Sequence, residues 1–359
     1  MISCLEGHGY TDAGGSIPSP RVFQKARFPL HSGHPMGIPR LRPGDGHRMF
    51  AASSKKRETR EEVTAQMDLS LIFSQIINGL QTGSVYALVA LGYSMVYGII
   101  LLLNFAHGDI IMVGAYTAFY AIASFHLHPL ASVLLAVLVS TALGVAIEKV
   151  AYTPLRSAPR LSLLITAIGI SFLLENGAQL LFGADTKSMD TIVTGNAALL
   201  GANVSYAALL TIAVSVVAML ALTFLVQKTK LGKAMRAVSE DMGAAQLMGI
   251  SLNRTISFTF AVGSALAGIG SILYLCAYPQ ASPTMGSMLG LKAFVAAVLG
   301  GIGSIPGAMI GGFVIGLLEA MVSAAGLSVW KDGAVFAILI VVLLVKPTGI
   351  LGRQITEKV

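Results

Sequence analysis

Charge is scarce in this sequence. Only 11% of its 359 residues are Asp, Glu, Lys or Arg, where soluble globular chains carry about 25%. That shortage excludes a conventional solvated domain. Cysteine is nearly missing too. Cys4 and Cys276 stand in unrelated surroundings, which gives neither a disulfide framework nor a metal-site spacing. No G-x-x-x-x-G-K-[S/T] phosphate loop occurs, since Gly232-Lys233 lacks both the earlier glycine and the following Ser/Thr. The chain therefore has no apparatus of its own for hydrolysing ATP. Gly301-Ile302-Gly303 begins like a dinucleotide fingerprint, but Pro306 occupies the third glycine's place and no soluble βαβ context surrounds it. No nucleophile is paired with a base at a supporting spacing, so an intramembrane enzyme finds no catalytic residues here.

What the chain does have is apolar length. Hydrophobic residues make up 55% of it, and the mean hydropathy is +0.76. This is the composition of an all-α polytopic membrane protein lying in a lipid bilayer. The net charge of +7 divides unevenly: residues 1–66 hold ten bases and six acids, the remainder fourteen and eleven. So modest an excess in the membrane part orients loops and does not bind nucleic acid.

Residues 1–66 differ in kind from the rest of the chain. Gly, Pro, His and Arg dominate without a sustained apolar period, as expected of a disordered segment. No apolar run follows the early charges, so no secretory signal is apparent. The expectation is a spurious or disordered extension, with Met67 or Met49 as the first residue, or else a regulatory tail.

From Leu69 the spans succeed one another, roughly eight to ten by length and charge. Leu69 to Leu103 exceeds one crossing and is either a long tilted helix or a helix with a broken half-span. Asn104-Phe105-Ala106-His107-Gly108-Asp109 then opens the next span. Two readings fit Asn104, His107 and Asp109. They line a break facing a polar cavity, or Asn104 caps a helix whose positive end holds Asp109. One His and one Asp are too few for a metal site. Glu148 and Lys149 end the third span as a candidate pair. Glu175 interrupts the fourth span, Lys292 lies in a short apolar half-span, and Glu319 lies inside a later one. Gly183 to Ser205 reads as an external loop that carries a short strand or helix. Gly303, Gly307 and Gly311 recur every four residues, as do Gly312 and Gly316, a spacing expected to put a glycine groove on one helix face.

The one strongly charged interior stretch is Gln227 to Arg254. It collects Lys228, Lys230, Lys233, Arg236, Glu240, Asp241 and Arg254. Such a cluster must lie in water, and its excess of bases places it in the cytoplasm. Ser239 is expected to cap a helix with Glu240 and Asp241 in its first turn. Gly249 is expected to end that helix after Met248. Its apolar residues are Met242, Ala244, Ala245, Leu247 and Met248. The segment is either a connector containing a short helix or a docking helix that receives motion from a soluble partner.

At this point the chain resembles a known family. The run AMRAVSEDMGAAQLMGISLNR is similar to the coupling segment of Liv-type branched-chain amino-acid permeases of ABC transporters, the LivH-type family. GLQTGSVYALVALGYSMVYGI, NFAHGD, AYTPLR, KAFVAAVLGGIGSIPGAMIGGFVIGLLE and LLVKPTGILG resemble that family as well, over Met67 to Arg353. The resemblance implies that residues 67–359 form an ABC permease domain in the cell inner membrane. It implies a homologous LivM-like permease, two ABC ATPase subunits that use ATP and Mg, and a periplasmic leucine/isoleucine/valine-type binding protein. ATPase coupling would fall to Ser239, Glu240, Asp241, Ala244, Ala245, Leu247 and Gly249. Two other readings stay open: a relative that carries urea, amides or other amino acids, and an ion-coupled transporter using His107, Asp109, Glu175 or Glu319.

Overall fold

A computed structural model describes residues 45–100, 104–156, 158–199 and 202–352. The chain divides into two units, Met1–Thr59 and Arg60–Val359. In the first, residues 45–59 are helical. Residues 1–44, most of the segment expected to be an extension, lie outside the described residues. Helix α1 (Asp45–Ile100) starts well before Leu69. Ala, Lys, Arg, Glu and Gln dominate residues 51–66, and these helix formers let an existing helix propagate backwards at little cost.

The second unit is a helical membrane protein. After α1 come α2 (His107–Ala123), α3 (Pro129–Ile147), a π-turn (Glu148–Tyr152) and α4 (Arg160–Phe182). An outer segment follows with strands β1 (Lys187–Ser188), β2 (Asn196–Leu199) and β3 (Ala202–Ser205). Then come α5 (Tyr206–Lys228), α6 (Lys230–Glu240), α7 (Met242–Leu247) and α8 (Leu252–Ala277). Strand β4 (Gln280–Ala281), α9 (Met285–Gly300), α10 (Ile305–Ala324), a 3₁₀ turn (Ser328–Trp330) and α11 (Lys331–Val345) complete it. β2 and β3 form a hairpin, while β1 pairs antiparallel with β4 and ties the segment before α5 to the segment before α9.

Local chemistry sets several helix starts. Pro129 begins α3 with His128 Nδ1 accepting from Leu130 N. Ser205 Oγ accepts from Ala208 N at 3.1 Å to start α5, and Ser304 Oγ accepts from Gly307 N at 3.2 Å to start α10. Each satisfies a backbone donor that has no partner within the helix.

Seven helices among the described residues are long and apolar enough to cross a bilayer. That is below the eight to ten expected from sequence, because α2 and α9, at 17 and 16 residues, fall short of the length a crossing needs, which α11 reaches only together with the 3₁₀ turn before it. Both are largely buried among other helices. α1 lies at the centre, with 83% of its apolar window buried, against 6% for the window that contains α11. Leu180, Leu344 and Val150 are exposed, as lipid-facing side chains on peripheral helices should be.

Without a hydrophobic force between helices in lipid, close packing holds them. α1 crosses α10 where Gly79 and Gly83 meet Gly312 and Gly316; a Cβ on Gly83 would lie 2.8 Å from Gly312 O. α2 crosses α9 through Gly108, whose added Cβ would lie 2.9 Å from Gly290 Cα. α3 meets α8 where a Cβ on Gly268 would sit 2.8 Å from Val137 Cα. The expected single groove of Gly303, Gly307 and Gly311 is not what forms. Gly303 precedes the helix, in a turn with φ +89°, and its N–H donates to Ser94 Oγ at 2.9 Å. Gly307 and Gly311 press on α9, while Gly312 and Gly316 press on α1. The helix uses two faces because α10 is sandwiched between two neighbours.

Candidate functional site

The charged stretch folds as two short helices and not one. Thr229 Oγ1 accepts from Gly232 N at 3.0 Å and caps α6. Gly232, Met235 and Val238 are its buried face, and Lys230, Lys233 and Arg236 point to solvent. Ser239 is not the cap expected of it. It lies in the last turn of α6, where its hydroxyl donates to Arg236 O at 2.7 Å. Glu240 is the last residue of α6. Asp241 breaks the helix with extended backbone, and its Oδ1 accepts from Ala244 N at 2.9 Å to cap α7. α6 runs on through Ser239 because its apolar face still has a residue to bury at Val238, so the cap falls two positions later.

Gly249 ends α7 as expected, with φ +82°. Gly249 N donates to Gln246 O and Ile250 N to Ala245 O, each at 3.0 Å, the paired closure of a Schellman turn. Within α7 only Ala245 is buried, while Ala244 is exposed. Leu247 and Met248 are 90% and 83% exposed. Two large apolar side chains are thus held in the open between the Asp241 cap and the Gly249 turn.

The second cluster surrounds the α1–α2 break. Asn104, His107 and Asp109 are all buried. Ala106, without a side-chain bond, is the N-cap of α2, so Asn104 does not cap. Its Oδ1 accepts from Tyr152 Oη at 2.9 Å instead. The His107 ring stands edge-on to Tyr93, centroids 4.9 Å apart, and against the backbone of Gly92. Asp109 Oδ2 accepts from Ser171 Oγ on α4, while Glu175, one turn further along α4, accepts from Ser287 Oγ on α9. Asn104 Nδ2, His107 Nε2 and Asp109 Oδ1 are buried with no hydrogen-bond partner among the described residues. Three open polar valences therefore lie within six residues, at the start of α2.

The structure brings Asn104, His107, Asp109 and Glu175 to the junction of α1, α2, α4 and α9. Glu319 lies elsewhere, bonded to Tyr86 Oη at 2.9 Å and to Lys292. Glu148 pairs with Arg156 and not with Lys149, because the π-turn carries Lys149 to the outside. Sequence reading missed Ser171, Ser287 and Tyr152. Lone hydroxyls in apolar helices give no signal until a carboxylate or amide is placed opposite.

The family model for "Branched-chain amino acid transport system / permease component" matches residues 75–344. The high-affinity branched-chain amino acid transport system permease protein BraD of Pseudomonas aeruginosa is 44% identical over 298 residues, covering 79% of this chain and 97% of the relative. The LivH permease protein of the same name in Escherichia coli K12 is also 44% identical, over 79% and 97% of the two chains. A probable LivH of Methanocaldococcus jannaschii is 32% identical over 74% of this chain and 88% of its own.

Proposed function

The chain belongs to the permease components of branched-chain amino acid transport systems, and from that premise we propose that it is the membrane subunit of an ATP-driven importer of leucine, isoleucine and valine. The observation that carries this reading is 44% identity sustained over 97% of relatives named for that transport. It is a multi-pass membrane protein, and we place it in the inner membrane.

In this reading energy comes from outside the chain. Two ATPase subunits, which take up ATP and Mg, dock on α7. A homologous LivM-like permease completes the pore, and a periplasmic binding protein delivers the amino acid. The exposed Leu247 and Met248 beside the buried Ala245 support docking at α7. Glu240 and Asp241 border the same surface, and Asp241 and Gly249 give the helix fixed ends. Asn104, His107 and Asp109 are proposed to line the path, as buried polar groups with open valences. Closure of the ATPases would displace α7 and switch access by rigid movement of helices.

Uptake of radiolabelled leucine by cells lacking this chain tests the reading. Restoration by the wild-type copy only with a working partner ATPase is the expected result. Uptake that ignores the ATPase but collapses with the proton gradient would replace it with an ion-coupled carrier.

A further inference from the structure

Glu148 is completely buried, and three side chains from two segments meet on its carboxylate. Oε1 accepts from Thr153 Oγ1 at 2.8 Å and pairs with the Arg156 guanidinium. Oε2 accepts from Ser257 Oγ at 2.6 Å. Arg156 also donates to Asn253 Oδ1. Asn253 and Ser257 lie in the first two turns of α8, which begins at Leu252, directly after the Gly249–Ser251 link from α7. The end of α3 therefore grips the start of the helix that α7 leads into.

The backbone at the grip is a π-turn. Thr153 N donates to Glu148 O, five residues back, at 2.8 Å. Such a turn holds one residue more than the α-helical ladder, and turns of this kind are frequent at functional sites. Its last residue, Tyr152, donates to Asn104 Oδ1 at 2.9 Å. Beyond the grip, α3 and α8 are packed backbone to backbone at Gly268 and Val137. A tight crossing of that kind leaves no room for one helix to slide along the other. A push on α8 then reaches α3 and Tyr152 together.

We propose that Glu148 is a positioning residue for energy coupling. With Arg156 it clamps the start of α8 to the end of α3, so that displacement of α7 is delivered through the π-turn and Tyr152 to Asn104 at the α1–α2 break. The inference rests on α7 being the ATPase-docking helix. A carboxylate held by several directed donors fixes both distance and angle, which an apolar contact at the same place would not. A purely architectural Glu148 would lower the amount of transporter, and uptake and ATP hydrolysis would fall in step.

The test uses the complete transporter reconstituted in lipid, with leucine moved per ATP hydrolysed as the readout. Glu148→Gln keeps the shape and removes the charge that holds Arg156. The ratio is expected to fall about three- to tenfold while ATP hydrolysis continues, and Glu148→Asp is expected to recover part of it. An unchanged ratio in Glu148→Gln overturns the proposal. Where Glu148→Gln fails to assemble, Ser257→Ala and Asn253→Ala decide, since each removes one arm and leaves the ion pair. A lower ratio in both supports the clamp, and an unchanged ratio in either overturns it. Failure of the functional reading is seen separately, because the wild-type complex would then move no leucine at all.

Discussion

Lys292 Nζ lies 2.7 Å from Glu319 Oε1 and at the same time 2.6 Å from Asp332 Oδ1. One base on α9 thus holds acids on α10 and on α11. The Tyr86 ring of α1 lies 5.8 Å below the ammonium, and its hydroxyl donates to the other oxygen of Glu319. Four helices are joined at a single charge cluster. Since only 6% of the window that contains α11 is buried within the chain, Asp332 is a principal polar attachment for it. Lys292→Met leaves Glu319 buried without its base, at an expected cost of about 3–5 kcal/mol. Pairing it with Glu319→Met should recover most of that loss. Thermal unfolding of the purified protein checks both, and a single variant as stable as wild type would contradict the account.

Glycines in this fold divide by what surrounds them. Gly83 and Gly312 sit at the α1–α10 crossing, where a Cβ on Gly83 would meet backbone at 2.8 Å. Gly83→Ala should destabilise by about 1–3 kcal/mol through overpacking. Gly177 on α4 has nothing within 4 Å, so Gly177→Ala should be neutral or gain up to about 1 kcal/mol of helix propensity. Half-lives of thermal inactivation would rank the two variants in that order.

The proposed docking surface on α7 separates local stability from contact. Asp241→Ala removes the cap of α7 and should cost about 1 kcal/mol, read as faster hydrogen exchange confined to residues 242–248. Leu247→Glu changes a side chain that is 90% exposed, so folding should be untouched. Co-purification with the ATPase subunits should nevertheless be lost. Retention of the ATPases by Leu247→Glu would move the docking site away from α7.

Asp109 is a buried carboxylate with no base paired to it among the described residues. Asp109→Asn preserves its size and relieves the burial of charge. The variant should be more stable by about 0.5–2 kcal/mol and transport less well, the usual exchange where a strained group serves function. A scan of thermal midpoint beside leucine uptake measures both. Asp109→Asn with full uptake would remove Asp109 from the path.

Much of this protein was legible in its sequence, because hydrocarbon imposes a simple rule on a chain. Apolar runs near 20 residues had to become spans, and the charged segment between α5 and α8, with Lys230, Lys233, Arg236, Glu240 and Asp241, had to lie outside them. Gly249 could be assigned as a helix end because its left-handed backbone conformation, φ +82°, is one that glycine adopts without strain. What only the tertiary structure decided is which polar group faces which. Glu148 found Arg156 and Ser257, the latter 109 residues away, and not its neighbour Lys149. Asp241 capped α7 in place of Ser239, because α6 ran on to bury Val238. Glycines four apart served two partners, since α10 lies between α1 and α9. Hydrophobic periodicity says which residues avoid water, but in lipid every helix face avoids it. The choice among faces therefore rests on close packing and on buried hydrogen bonds between distant residues.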